Sequence, residues 1–466
     1  MGWVRAALVV VLACALCATA RAAPPRSLSS GPPGPCRSAE EGEASFADSE
    51  LEPILVRDPR RPRRLVAAWT AGTHTTGTTA SRDGGRTWRR AKPPGLARCS
   101  GGPGQFAGDP WLTFGARGNA YLSVIAGDVI GSTVSARVLV SRSVDAGRTW
   151  ARPHEVVPGG VYNDKESITG DPRVPGRLHV VWTRRLGGFG ENGIAYYSRS
   201  DDAARTWSTP VAINAPPLQV PLNNQVLVAR DGTLVDVYDL VNYGQQIPGG
   251  GVRVPFQVMA SRSTDGGRTW AQPARIATLP QYGSDLALHA PNGDLVRAAP
   301  LSSRAAARDG TLYVAWQHNE SAASGEIRLA RSLDAGRTWG APTVVARPGA
   351  QAFQPTVAVA SDGRVAVDWF DFRHYRPSSK GLPTDVRIAI SRDRGRTWAR
   401  RRLAPTFDYE RAPRVELEGI DSLGSLVLGD YFGLAPVGRG FGAALSLPTA
   451  AAKRHRGPAD VYLARP

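Results

Sequence analysis

Short runs of alternating apolar and polar residues recur along the chain, each folded back on itself by a tight turn. Examples are "VLVARDGTLVDVY", "AARDGTLYVAW" and "VAVASDGRVAVDW". Alternation with period two predicts strands with one buried face, and Asp-Gly between such runs predicts a hairpin. Beyond each hairpin comes a longer, variable loop and then a third apolar run: "VLVSRS", "AYYSRS", "QVMASRS", "IRLARS" or "RIAISRD". Each unit therefore reads as strand, tight turn, strand, long loop, strand, tight turn, strand.

The second tight turn is an eight-residue box. "SRDGGRTW" starts at 81, and related octets start at 143, 200, 263, 332 and 391, giving separations of 62, 57, 63, 69 and 59. A period near 60 marks a repeat architecture. Four antiparallel strands per period make one blade, so the predicted fold is an all-β propeller of four-stranded blades. Units begin near 51, 108, 164, 223, 285, 353 and 425, which gives seven blades, with six as the alternative. The last unit stops after its third strand, and "GEASFADSE" near the N-terminus is expected to supply the fourth and close the ring.

The box has a mechanical reading as the turn between strands three and four. Its Asp (Asp83, Asp145, Asp202, Asp265, Asp334, Asp393) is suited to accept backbone N–H groups, as in Asx-turns. The Gly two residues on allows positive φ, Thr bonds back to the Asp, and Trp covers the blade end. Ala204 replaces that Gly in the third box, where strain or a different turn is expected. Six near-copies around a ring are structural, so the chemistry is sought elsewhere.

Fifty-one Gly and 37 Pro support a strand-and-turn chain, and 42% hydrophobic residues suffice for a sizeable core. Residues 1–22 read as a secretory signal: Arg5, an apolar stretch from Ala6 to Ala18, then Ala20-Arg21-Ala22 for cleavage. Lipid anchoring at Cys14 is the alternative. Residues 23–45 form a Pro/Gly-rich leader, and 46–466 one propeller domain. Of the four cysteines, Cys36 and Cys99 remain after cleavage and are expected to pair. The net charge of +17 comes from arginines dispersed with the repeat, not from a basic groove. Nucleic acid is therefore not expected as a partner, whereas an anionic surface glycan is compatible. No segment is long enough to span a bilayer, and a monomer is expected.

Strand one of each blade should line the central channel, and residues at its start should crowd one mouth. There the sequence places Asp109, Asp164, Lys165, Glu166, Asn223, Asn224, Asp285, Gln354, Asp430 and Tyr431. Converging carboxylates can share a proton, hold a cation or act as acid and base, whereas singly they cap turns. The loop "DWFDFRHYR" adds Asp371, Arg373 and Tyr375, with Arg373 a bidentate carboxylate clamp or simply the partner of Asp371. The scattered histidines show no metal-ligand spacing. No cofactor is implied, and a calcium-type ion in the channel stays open.

Box, period and export signal together resemble the BNR/Asp-box proteins of the sialidase superfamily. The resemblance implies retaining glycoside hydrolysis with a Tyr–Glu nucleophile pair, an Asp acid and arginines gripping a sialic acid carboxylate. Carried onto this chain, it implies Tyr431 as nucleophile, Glu166 as its partner, Asp109 or Asp164 as acid and Arg373 as a clamp. The superfamily's Phe-Arg-Ile-Pro motif has no counterpart here. Two functions stay open: a secreted sialidase-like hydrolase acting on glycans, and a secreted propeller that binds glycan or protein without cleaving it.

Overall fold

The structure, a computed structural model, describes residues 24–29, 49–72, 75–130, 133–186, 192–213, 220–241, 256–280, 287–321, 324–415, 424–453 and 457–466. These residues form seven four-stranded antiparallel sheets and one two-stranded ribbon. The sheets are propeller blades. Their innermost strands are Glu50–Arg57, Phe106–Phe114, Asn163–Gly170, Val220–Val228, Ser303–Ala306, Ala352–Val359 and Gly433–Val437, which contact one another in succession around the axis.

Two details differ from the sequence expectation. The last blade is completed by Arg26–Ser27, which pairs with Gly457–Ala464, while most of the segment expected there lies outside the described residues. Leu28 and Ser29 extend the pairing: Leu28 N donates to Val461 O (2.8 Å), and Val461 N to Ser29 Oγ (2.7 Å). The fifth blade opens at Ser303, not near 285. The hairpin read as its start is a separate ribbon of Ala287–His289 and Leu295–Arg297. Leu295 and Arg297 hydrogen-bond the backbone of Leu426, so the ribbon ties the connector before blade 5 to the chain leading into blade 7. The expected signal segment and Cys36 lie outside the described residues, and Cys99 sits in the 3-10 turn Arg98–Ser100.

Tryptophans on the second strands fill the gaps between blades. Trp182 shares a buried cluster with Tyr121 and Val138 of the preceding blade, Trp316 with Val235 and Val258, and Trp369 with Tyr313 and Ile327. Burial of one such side chain contributes about 1.5–3 kcal/mol or more, so these contacts are a main source of ring cohesion.

Five of the six boxes share one geometry, and in the fifth Arg337 N donates to Asp334 O (3.3 Å) while the Thr338 and Ser332 bonds are kept. In the fourth, Asp265 Oδ1 accepts from Arg268 N and Thr269 N (both 3.0 Å) and from Ser263 Oγ (2.8 Å). Its Oδ2 accepts from Thr269 Oγ1 at 2.6 Å. The Ala204 box keeps the same bonds, with Ala203 at φ 66° and Ala204 at φ 69°. That turn is strained and not reshaped. Arginines beside the boxes latch neighbouring blades: Arg199 donates to Gly266 O, Arg262 to Ala335 O, Arg331 to Arg394 O and Arg465 to Gly84 O. Part of the chain's arginine excess is thus spent on carbonyls of the next box around the ring.

Candidate functional site at the channel mouth

Five inner strands carry the same irregularity. Pairing with the second strand slips between Leu51 and Ile54, Gly108 and Trp111, Asp164 and Ser167, Leu222 and Gln225, and Phe353 and Thr356. At each slip two residues oppose one, a β-bulge, and the first of the two is left-handed. Those first residues are Glu52 (φ 54°), Asp109 (50°), Lys165 (50°), Asn223 (56°) and Gln354 (50°). None is glycine. Each such residue costs about 1 kcal/mol or more, and strain repeated around one ring is a mark of a site. Proline follows Glu52, Asp109 and Gln354, which suits a bulge position with no ladder partner to receive an N–H.

The bulges turn polar side chains toward one another. Lys165 Nζ lies 2.7 Å from Asp430 Oδ2, 3.5 Å from Glu52 Oε1 and 3.6 Å from Asp109 Oδ2. Asp430 is buried and is also held by a fork from the ribbon, Arg297 Nε to Oδ1 at 2.6 Å and Nη2 to Oδ2 at 2.9 Å. Its backbone N–H donates to Glu52 Oε1 at 3.3 Å. Asp109 is the most exposed of these carboxylates, at 22%, against 13% for Glu52 and 1% for Asp430.

Burial and the neighbouring charges set the protonation pattern. Burial first, then the field of Asp109, pushes the Glu52 carboxyl well above its ordinary value. Glu52 therefore carries the proton that the pair shares. Burial works against the charge of Lys165, but Asp109, Asp430 and Glu52 outweigh it and raise its pKa. Burial likewise opposes ionisation of Asp430, yet Arg297 and Lys165 hold it far below the usual carboxylate range. Beneath the ring lies a cavity of about 170 Å³ lined by residues that include Trp111, Gln225, Ser303, Thr356 and Tyr431.

Of the sequence candidates, Asp109, Lys165 and Asp430 converge as described. Asn223 and Gln354 sit on the same ring: Asn223 Nδ2 donates to Asp239 Oδ2 and to Ser302 O, both at 2.8 Å, and Gln354 Nε2 donates to Gly429 O. Asp164 faces Arg185 at 3.7 Å. Tyr431 Oη donates to Pro110 O at 3.1 Å, and its ring meets Trp111 edge-on. Glu166 is the second bulge residue of its strand and is buried, with neither carboxylate oxygen hydrogen-bonded to a side chain or backbone group. The structure thus does not join Tyr431 and Glu166 by a hydrogen bond. Asp371, Arg373 and Tyr375 stand apart from this cluster. Arg373 forks onto the buried Asp371 (2.6 and 2.5 Å), and Tyr375 packs against the core of the last two blades. Asp285 lies outside the described residues.

Glu52 and Arg297 were not among the sequence candidates. Glu52 had a usable signal, the polar-Pro pair shared by Glu52-Pro53, Asp109-Pro110 and Gln354-Pro355 at equivalent points of three units. Arg297 had none, because its ribbon reads as an ordinary blade hairpin. Among the described residues no group of three or more His, Cys, Asp or Glu is placed to hold a metal ion, and at the mouth the Lys165 ammonium occupies the place between the carboxylates. No helix among them is long and apolar enough to cross a membrane.

Similarity to known proteins agrees with this architecture. Residues 190–415 match the family described as a BNR repeat-like domain. No curated protein matches the sequence. Among solved structures, an ulvan lyase from a new family of polysaccharide lyase is similar at 12% identity and a TM-score of 0.53, over 91% of this chain and 95% of its own. An α-L-arabinanase from Penicillium chrysogenum, complexed with arabinobiose, is similar at 14% identity and a TM-score of 0.50, over 79% and 98%. A Hadza microbial sialidase is similar at 16% identity and a TM-score of 0.46, over 86% and 73%. Likeness at such identities speaks for the fold. Residues 190–415 thus carry the BNR repeat-like match within a seven-bladed β-propeller.

Proposed function

We propose that the protein is exported and acts on an extracellular glycan at the channel mouth, cleaving a glycosidic bond by acid–base chemistry. The observation that carries this reading is the proton-sharing Glu52–Asp109 pair, placed by strained bulges at the open end of the channel. Protonated Glu52 is suited to donate to the leaving glycosidic oxygen. Asp109, the more exposed carboxylate, is suited to take a proton from a water bound against the same pair, as one of two carboxyls that share a proton. Lys165, 3.5 Å from Glu52 and 3.6 Å from Asp109, stabilises negative charge as it redistributes between the two.

The mouth also speaks to the sugar. Lys165 and Arg297 are matched to Asp430, and Arg185 faces Asp164, so these cations are engaged before any ligand arrives. A sialic acid carboxylate would have to displace those partners, which favours an uncharged sugar at the cleavage point. The signal-like N-terminus supports export, and a Cys36–Cys99 disulfide is part of the same proposal. It would tie the leader to the first blades and contribute about 4 kcal/mol in a loop-entropy account.

The test is a panel of fluorogenic neutral glycosides and a sialoside, run with wild type, Glu52→Gln and Asp109→Asn. Turnover of a neutral glycoside that falls about 10²–10⁴-fold in both variants is expected. Wild-type turnover of the sialoside alone, full activity in either variant, or glycan binding without any turnover would overturn the reading.

A further inference from the structure

Away from the channel, blade 6 carries a second charged cluster with a different balance. Its centre is Asp385, which is fully buried and accepts a hydrogen bond from Thr406 Oγ1 at 2.6 Å. Around the other carboxylate oxygen stand His374 Nε2 (3.3 Å), Arg387 Nη1 (3.4 Å), Arg402 Nη2 (3.5 Å) and Arg373 Nε (4.0 Å). The second acid, Asp371, is also fully buried and is saturated by Arg373 and by Trp369 Nε1 at 2.8 Å. Three arginines and a histidine thus share two carboxylates, and positive charge is left over.

The surplus points outward. Both acids are inaccessible, whereas His374 is 47% and Arg402 38% exposed, with Arg373 and Arg387 partly so. Arg387 and Arg402 sit directly opposite each other on neighbouring strands, a like-charge pairing that a sheet avoids without compensation. Burial, then the nearby Arg373 cation, lowers the pKa of Arg387, and its Nε has no hydrogen-bond partner. Arg400 Nε bonds Val345 O of blade 5, so the cluster borders the crevice between blades 5 and 6. A fold that needed only a surface ion pair would not gather three guanidinium groups over a hidden acid.

We propose that this crevice is a binding site for a tetrahedral oxyanion, a sulfate or phosphate ester carried by a polysaccharide. Planar guanidinium groups converging from three positions match oxygens that point in several directions, with the buried acids fixing their orientation in advance. The site is independent of the chemistry at the channel mouth. A chain held there through its ester groups would be tethered to the propeller whether or not it is cut.

The experiment measures binding of dextran sulfate, phosphorylated dextran and plain dextran to the full-length protein by calorimetry. Inorganic sulfate and phosphate serve as small probes. The test variant is Arg387→Gln/Arg402→Gln, and the control is Arg205→Gln/Arg268→Gln, which removes the same charge from the box end of the ring. Arg402→Lys keeps the charge but not the fork. The expected result is no binding of plain dextran, and a loss of about tenfold or more in affinity for an esterified dextran in the test variant alone. Arg402→Lys should fall between. Preference for the sulfated or the phosphorylated polymer identifies the ester. An equal loss in test and control variants would reduce the effect to net charge and overturn the site, as would an undiminished affinity in the test variant.

Discussion

Replacing Lys165 by Met removes the ammonium that lies between Asp430, Glu52 and Asp109, at 2.7, 3.5 and 3.6 Å. Taking one partner out of a buried ion cluster costs about 3–5 kcal/mol. Here the lower end applies, because Arg297 still covers Asp430 and Glu52 already holds a proton. With about 2.1 cal/mol/K of unfolding entropy per residue over 466 residues, about 3 kcal/mol corresponds to a fall of about 3 °C in Tm. The pH dependence gives the sharper signature. Lys165 lowers the folded-state pKa of Glu52, so without the ammonium that pKa rises further, and the stability of the variant is retained at low pH and lost as pH climbs. Calorimetry at one scan rate should therefore show a Tm deficit at pH 8 about twice that at pH 5. Equal deficits at the two pH values, or none, would refute the charge arrangement. A deficit from lost packing alone would not change with pH.

Three further outcomes rest on other parts of the molecule. Ala204→Gly relieves a left-handed backbone without changing the box hydrogen bonds, and should stabilise by about 1 kcal/mol in thermal or urea unfolding. The reverse change, Gly267→Ala, imposes φ +88° on alanine and drives its Cβ into the Tyr197 ring, and should destabilise by about 2 kcal/mol or more. Burial, with help from Asp460, raises Glu50 to about 8; burial alone takes Asp368 to about 8 and Asp236 to about 7. Raised folded-state values mean stability present at low pH and lost as pH rises through 7 to 8. The box aspartates are shifted the opposite way by their Thr, Ser and backbone donors, Asp202 and Asp334 to about 2, so stability also falls below pH 4. Tm should peak near about pH 5, and a maximum at pH 8 or above would contradict these assignments.

The blades were legible because their signals are local and repeated: Asp-Gly hairpins, period-two strands and six boxes. The ring's closure was legible only in kind. An N-terminal strand was expected, but two residues, Arg26 and Ser27, are too short to stand out against a Pro/Gly-rich background. The ribbon at 287–297 was read as a blade because its turn, "APNGDL", has the same alternation and turn chemistry as a blade hairpin. Only its pairing with Leu426, more than a hundred residues away, sets it apart. At the mouth, Asp109, Lys165 and Asp430 were found because polar residues interrupt otherwise apolar inner strands. The direction in which each points was not legible. A bulge of one residue brings Lys165 within ion-pair reach of three carboxylates while its neighbour Glu166 is buried, and nothing in "NDKES" says where the extra residue falls. Arg373 was an even choice between clamp and surface pair, and the structure places it on the fully buried Asp371.

The central claim is that Glu52 and Asp109 work as one proton-sharing unit at the channel mouth. A double-mutant cycle on kcat/KM, using Glu52→Gln, Asp109→Asn and both together against the best neutral glycoside, tests it most directly. The account predicts that the double variant is no worse than the poorer single one, because either change disables the same pair. Losses that multiply would show two residues acting separately, and that result would contradict it.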